Sequence, residues 1–102
     1  MNKLEIIKET LENKQADDIK VIDLNKKSSV ADYFVLATGN SINHNKALLE
    51  YLEDELEKNG YNILSKEGLR EGNWILIDVG DIIIHIFTKN QREFYDIESL
   101  WE

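Results

Sequence analysis

Three places in this sequence hold side chains able to do chemistry. Asp78 and Asp81 lie close together in the chain, and paired carboxylates can bind a divalent metal or share a proton in acid–base work. They bracket Gly80, however, and aspartate beside glycine between two apolar runs is first of all turn chemistry. His85 titrates near neutrality and suits a general base. It stands in an apolar run with no acidic residue predicted to orient it, the pattern of a packed or interface histidine. Asn40–Asn45, NSINHN, follows an apolar run and opens a helical one, where a first turn can hold an anion. It lacks the paired glycines of a phosphate loop, so N-capping by Asn40 or Ser41 is the better reading. No Ser/His/Asp, Cys/His or metal-ligand spacing stands out. The residues assign no catalytic group, cofactor or metal. They describe a binding protein.

Composition narrows the partner. The chain has 102 residues, the length of one domain, taken here as 1–102. Twelve Lys and Arg stand against 20 Asp and Glu, a formal net charge of -8. A protein that binds by neutralising phosphates carries the opposite sign, so direct nucleic-acid binding is disfavoured as the primary mode. Basic partners are favoured, with an attraction that weakens in salt. The absence of cysteine removes disulfides and thiolate chemistry. No apolar run approaches the ~20 residues that span a bilayer, and MNKLEIIKETLE contains no signal-peptide block. The expectation is a cytoplasmic protein without a membrane partner.

The elements that must position these residues follow from periodicity. Asn2 to about Lys14 reads as a helix, with Leu4, Ile7 and Leu11 on one face and a capping-box arrangement of Asn2 and Glu5. Asp18–Leu24 alternates as a strand, with Ile19 and Val21 opposed to Lys20, Ile22 and Leu24. Asn25–Ser29 is a polar turn with two lysines. Tyr33–Thr38 is a continuous β-favouring run, predicted as a strand buried on both sides and ended by Gly39. Ser41 to about Asn59 is the longest helix, with Leu48, Leu52 and Leu56 on its inner face, acidic residues outside and Gly60 as its stop. That acidic run reads first as a solvated face. Tyr61–Leu64 reads as a short strand and Lys66–Gly72 as a polar loop. After Lys89 a polar turn leads to one or two closing helical turns. The fold class is therefore α/β (α+β), a five-stranded mixed sheet with helices packed on it.

Trp74–Val79 and Ile82–Phe87 flank Gly80-Asp81, a dipeptide suited to a tight hairpin. That turn sets Ile75, Ile77, Val79, Ile82, Ile84 and Ile86 on one aliphatic face. The other face holds Trp74, Leu76, Asp78, Ile83, His85 and Phe87. The first is core. The second is mixed and aromatic, suited either to a covering helix or loop or to a partner.

The segments ADDIKVIDL (Ala16–Leu24), ADYFVLATG (Ala31–Gly39), Glu67-Gly68, WILIDVGDIIIHIF (Trp74–Phe87) and REFYDIESLW (Arg92–Trp101) together resemble the ribosomal silencing factor family, RsfS or Iojap, over about the whole chain. The resemblance implies a translation repressor that docks on large-subunit ribosomal protein fourteen. There it sterically blocks joining of the small subunit when nutrients are short. It also implies a sheet similar to that of the nucleotidyltransferases, and it allows a homodimer. The catalytic Gly-Ser and Asp-x-Asp of active nucleotidyltransferases are absent: Gly39 precedes Asn40-Ser41, and Asp78 and Asp81 are spaced otherwise. The alternative, a nucleotide-binding or nucleotidyltransferase-like enzyme, rests on fold analogy alone. The chain stops at Glu102, so nothing is carried over from tails of longer members. With the resemblance in hand, the partner-binding residues are Trp74, Leu76, Asp78 and His85, joined by Glu67 and Gly68. Trp74 is the expected anchor, one whose truncation spares folding, and Asp78 the acceptor for a partner's Lys or Arg.

Overall fold

The first helix, α1 (Lys3–Asn13), begins as its sequence requires: the Asn2 side chain accepts from the Glu5 amide at 2.9 Å while the Glu5 carboxylate accepts from the Asn2 amide at 3.3 Å. Two of the helix's otherwise unpaired donors are thereby satisfied. In this computed structural model, which describes residues 1–25 and 28–101, strand β1 (Asp17–Asp23) follows, then β2 (Tyr33–Thr38) and helix α2 (Ile42–Lys58). Lys26 and Lys27 of the expected polar turn, and Glu102, lie outside the described residues. The remaining elements are β3 (Ser65–Glu67), β4 (Trp74–Asp78), β5 (Ile82–Phe87), α3 (Lys89–Tyr95) and α4 (Ile97–Trp101).

The five strands form one mixed sheet in the order β1-β2-β5-β4-β3. Among the described residues only β2 and β5 run parallel, and α2 lies in the crossover between them. They occupy the middle of the sheet, which is why both are apolar throughout: every residue of β5 is buried, and in β2 only Tyr33 is half-buried. The hairpin register is the expected one, with Ile75 opposite Ile86 and Ile77 opposite Ile84. The Val79 amide closes on the Ile82 carbonyl at 3.0 Å. Gly80 turns the chain at φ +100°, a conformation that a side chain would strain.

The two sheet faces carry different layers. Ile75, Ile77, Val79, Ile82, Ile84 and Ile86 join Val35 and Ala37 against Ile6, Ile7 and Leu11 of α1 and Leu48, Leu52 and Leu56 of α2. The opposite face gathers Ile22, Leu24, Phe34, Leu36, Ile83 and Phe87, with Ile97 and Trp101 of α4 packed over them. The mixed hairpin face is thus a second core in its own right.

Two boundaries differ from expectation. Tyr61–Leu64 forms no strand; the pairing with β4 begins beyond it, with Ser65 opposite Asp78. Tyr61 and Ile63 alternate because they pack on the aliphatic core, whereas the true edge strand is polar and exposed, as an unpaired edge must be. The start of the expected loop, Lys66-Glu67, therefore belongs to β3. Lys89 opens helix α3 in place of a turn, with Thr88 as its N-cap.

Candidate functional site

At the corner where β3, β4 and α3 meet, the sheet presents an aromatic surface. Trp74 opens β4 opposite Phe87 and stacks on it with ring centres 5.0 Å apart. The Tyr95 ring of α3 is centred 4.8 Å from the indole, and Phe94 continues the group with its ring centre 5.0 Å from that of Tyr95. Trp74 and Leu76 are half-buried: each packs against the second core without being enclosed by it. Glu67 pairs with Leu76 across the ladder and is exposed, and directly opposed residues share a face. Gly68 follows at φ +79°; a β-carbon there would come within 2.0 Å of the Trp74 carbonyl oxygen. Glycine lets the β3–β4 connection cross against the backbone of the tryptophan. Trp74, Leu76, Glu67 and Gly68 are therefore brought together.

Asp78 and His85 are placed differently. The Asp78 carboxylate accepts from the Gly80 amide at 2.9 Å, so it is engaged by its own turn although half-buried at the same face. His85 is only 4% exposed. Its Nδ1 accepts from the Trp74 indole N–H at 3.2 Å, and Phe34 stands edge-on at 4.8 Å. Of the two readings of this histidine, packed or interface, the packed one describes its place beneath the expected partner-binding face: strand β5 is central, and aromatic rings close over the imidazole.

The other candidate chemistry resolves into structure. Asp81 pairs with Lys3 at 2.8 Å; the Lys3 hydrogen bond lowers its pKa, partly opposed by desolvation. Lys3 also donates to the Val79 carbonyl at 2.7 Å, so this ion pair ties α1 to the hairpin turn. Asp78 and Asp81 thus serve different partners. Among the described residues no cluster of His, Asp and Glu is arranged to hold a metal. In NSINHN, Ser41 caps α2 by accepting from the His44 amide at 3.0 Å. The His44 Nδ1 accepts from the Asn40 amide at 2.9 Å, leaving Nε2 to donate to the Lys14 carbonyl at 2.9 Å.

Sequence reasoning missed Phe94, Tyr95 and Leu100 as surface residues: they are 73%, 50% and 76% exposed. The available signal was adjacency. Phe94 and Tyr95 are consecutive on a helix and so point about 100° apart, which a one-sided helix cannot bury together. Arg92 holds these helices in place. It donates to Glu98 at 2.8 Å, to the Thr38 hydroxyl at 2.9 Å and to the Asp18 carbonyl, linking α3, α4, β1 and β2.

Burial pushes the His85 pKa down from 6.5 to about 4. Between these values the unfolded chain binds a proton that the folded one refuses, so stability falls as pH is lowered through this window. A drop from pH 8 to pH 5 is expected to cost about 2 kcal/mol from this residue alone. Urea titrations at the two pH values check it: His85→Phe should flatten that part of the profile, and an unchanged slope would assign it to other groups.

A family model for "ribosomal silencing factor during starvation" matches residues 1–102. The chain is 37% identical to the ribosomal silencing factor RsfS of Bacillus subtilis, over 96% of this chain and 83% of that one. It is 35% identical to RsfS of Haemophilus influenzae, covering 96% of both. A mouse protein named for mitochondrial assembly of the ribosomal large subunit is 30% identical over 96% of this chain and 44% of its own. A crystal structure from Chromobacterium violaceum superposes with a TM-score of 0.92 at 36% identity, covering 99% of this chain and 87% of that one. With the motifs, the sheet order and the full-length match in agreement, the chain belongs to the ribosomal silencing factor family, RsfS.

Proposed function

We propose that this protein binds the large ribosomal subunit through large-subunit ribosomal protein fourteen. Seated there, it blocks the small subunit from joining and represses translation under nutrient limitation. It acts by occupancy, in the cytoplasm, as one unit over residues 1–102. The observation that carries this reading is the exposed aromatic corner of Trp74, Tyr95 and Phe94 on a domain of net charge -8. Large aromatic side chains held rigid at a surface are the usual anchors of protein–protein recognition. Negative charge favours a basic ribosomal protein and opposes sliding onto the RNA around it. Leu76, Glu67, Gly68 and Asp78 complete the proposed docking face, and His85 lies beneath it. A second copy docking on the same face would give a homodimer, which light scattering reads. The enzyme alternative finds no support in the acidic pair, since Asp78 serves its turn and Asp81 serves Lys3.

The reading is tested by subunit joining. Large subunits preincubated with the protein should form fewer complete ribosomes when small subunits are added, and an undiminished yield contradicts the reading. Charge adds a further expectation. Binding should be faster at low salt and lose part of its affinity as ionic strength rises. Affinity that is flat across the salt series would reduce the net charge to an aid to solubility.

A further inference from the structure

One residue interrupts the leucine row of α2. The buried residues of this helix are Asn45, Leu48, Leu49, Leu52 and Leu56, and the polar one, Asn45, is 0% exposed. Its Oδ1 is buried and has no hydrogen-bond partner among the described residues, so an apolar residue would fill the place at less cost. That oxygen stands against Gly39, where a β-carbon would come within 1.9 Å of it. The other end of the amide is employed: Nδ2 donates to the Gly72 carbonyl at 2.8 Å. Gly72 lies in the connection from β3 to β4, and its own amide donates back to the Gly68 carbonyl at 2.9 Å, closing a loop. A β-carbon on Gly72 would lie 2.7 Å from the Ile42 side chain and 2.8 Å from that of Lys46, so the loop is seated directly on α2. Asn73 accepts from the Thr88 amide at 2.9 Å, and Gly68 lies against the Trp74 backbone. Between these fixed ends Leu69, Arg70 and Glu71 are exposed.

We propose that Asn45 is a positioning residue for docking: its amide holds loop 68–73 in one shape, so that Leu69, Arg70 and Glu71 meet the ribosomal protein already ordered beside Trp74. This rests on the docking reading above and deepens it, extending the proposed face from Glu67 and Gly68 into the loop that joins them to the tryptophan. The reason is entropic. A loop that must be ordered at the moment of binding weakens affinity in proportion to the time it spends in other shapes. Gly68 and Gly72, both at positive φ, give the loop its tight path but widen its choice of shapes when nothing holds it. A single buried donor on a long helix restricts that choice. The orphaned Oδ1 is the cost of placing that donor in the core.

Amide hydrogen exchange on the wild type tests the premise without any substitution. The Gly72 amide should exchange far more slowly than an unstructured chain, and exchange at the unstructured rate overturns the inference. Asn45→Leu then removes the donor and keeps the branched shape, and Asn45→Ala is a second donorless variant should the larger side chain not fit against Gly39. Circular dichroism melts establish which variants are folded. A folded variant should lose the slow exchange of Gly72 and bind isolated large subunits about tenfold more weakly, the change expected if the docking-competent loop falls to about a tenth of the population. Ile84→Val, a truncation within the aliphatic core, should lower the melting point yet keep both the Gly72 protection and the affinity. Wild-type affinity in a folded Asn45 variant, weakened affinity with Gly72 still protected, or the same losses in Ile84→Val overturns this inference and leaves the docking reading standing. Failure of the wild type itself to bind overturns both.

Discussion

Ile84→Ala is expected to lower the folding free energy by about 2–5 kcal/mol, the range for truncating a large aliphatic side chain in a packed core. Ile84 is fully buried in central strand β5, between Val35 of β2 and Ile77 of β4. The side chain packs under α1 and α2, whose own apolar residues cannot follow it inward without distorting both helices. Domains of this size are commonly stable by about 5–15 kcal/mol, so the variant should be near the edge of folding. Urea denaturation followed by circular dichroism reads the change, and a loss under about 1 kcal/mol would mean that the aliphatic face is not the main core. Trp74→Ala is also expected to destabilise, contrary to the first reading of its face. It removes the stack on Phe87 and the hydrogen bond to His85, so it is a poor probe of binding alone.

Phe94→Ala separates the two effects. Its side chain is 73% exposed and lies in a helix with no fully buried residue. Folding should change by no more than about 0.5 kcal/mol. If it anchors the proposed docking face, its loss should cost ~2–4 kcal/mol of binding, roughly thirtyfold or more in affinity. The pair of variants therefore has opposite signatures: Ile84→Ala is poorly folded, whereas Phe94→Ala is well folded and poorly bound. A Phe94→Ala protein with wild-type affinity for large subunits would move the contact away from α3.

Much of the fold could be read before the structure. The capping box of α1, the leucine face of α2 and the Gly80 turn are local chemistry, written in residues a few positions apart. The hairpin register followed from that turn, because a two-residue connection leaves one pairing open to the strands. What stayed hidden depended on distant parts of the chain. Tyr61 and Ile63 alternate like a strand, yet nothing local shows that their partners are core side chains and that pairing starts at Ser65. The burial of His85 depends on which rings converge over it from β2, β4 and β5, positions spread across the sequence. The same limit governed the proposed docking face. Trp74 and Leu76 stood out within one strand, but Phe94 and Tyr95 join them only because α3 returns to that corner.

Sedimentation through sucrose gradients with isolated subunits tests the central claim most directly. Mixed with large subunits, the protein should travel with them; mixed with small subunits, it should remain at the top of the gradient. Migration with small subunits, or with neither, would contradict the account.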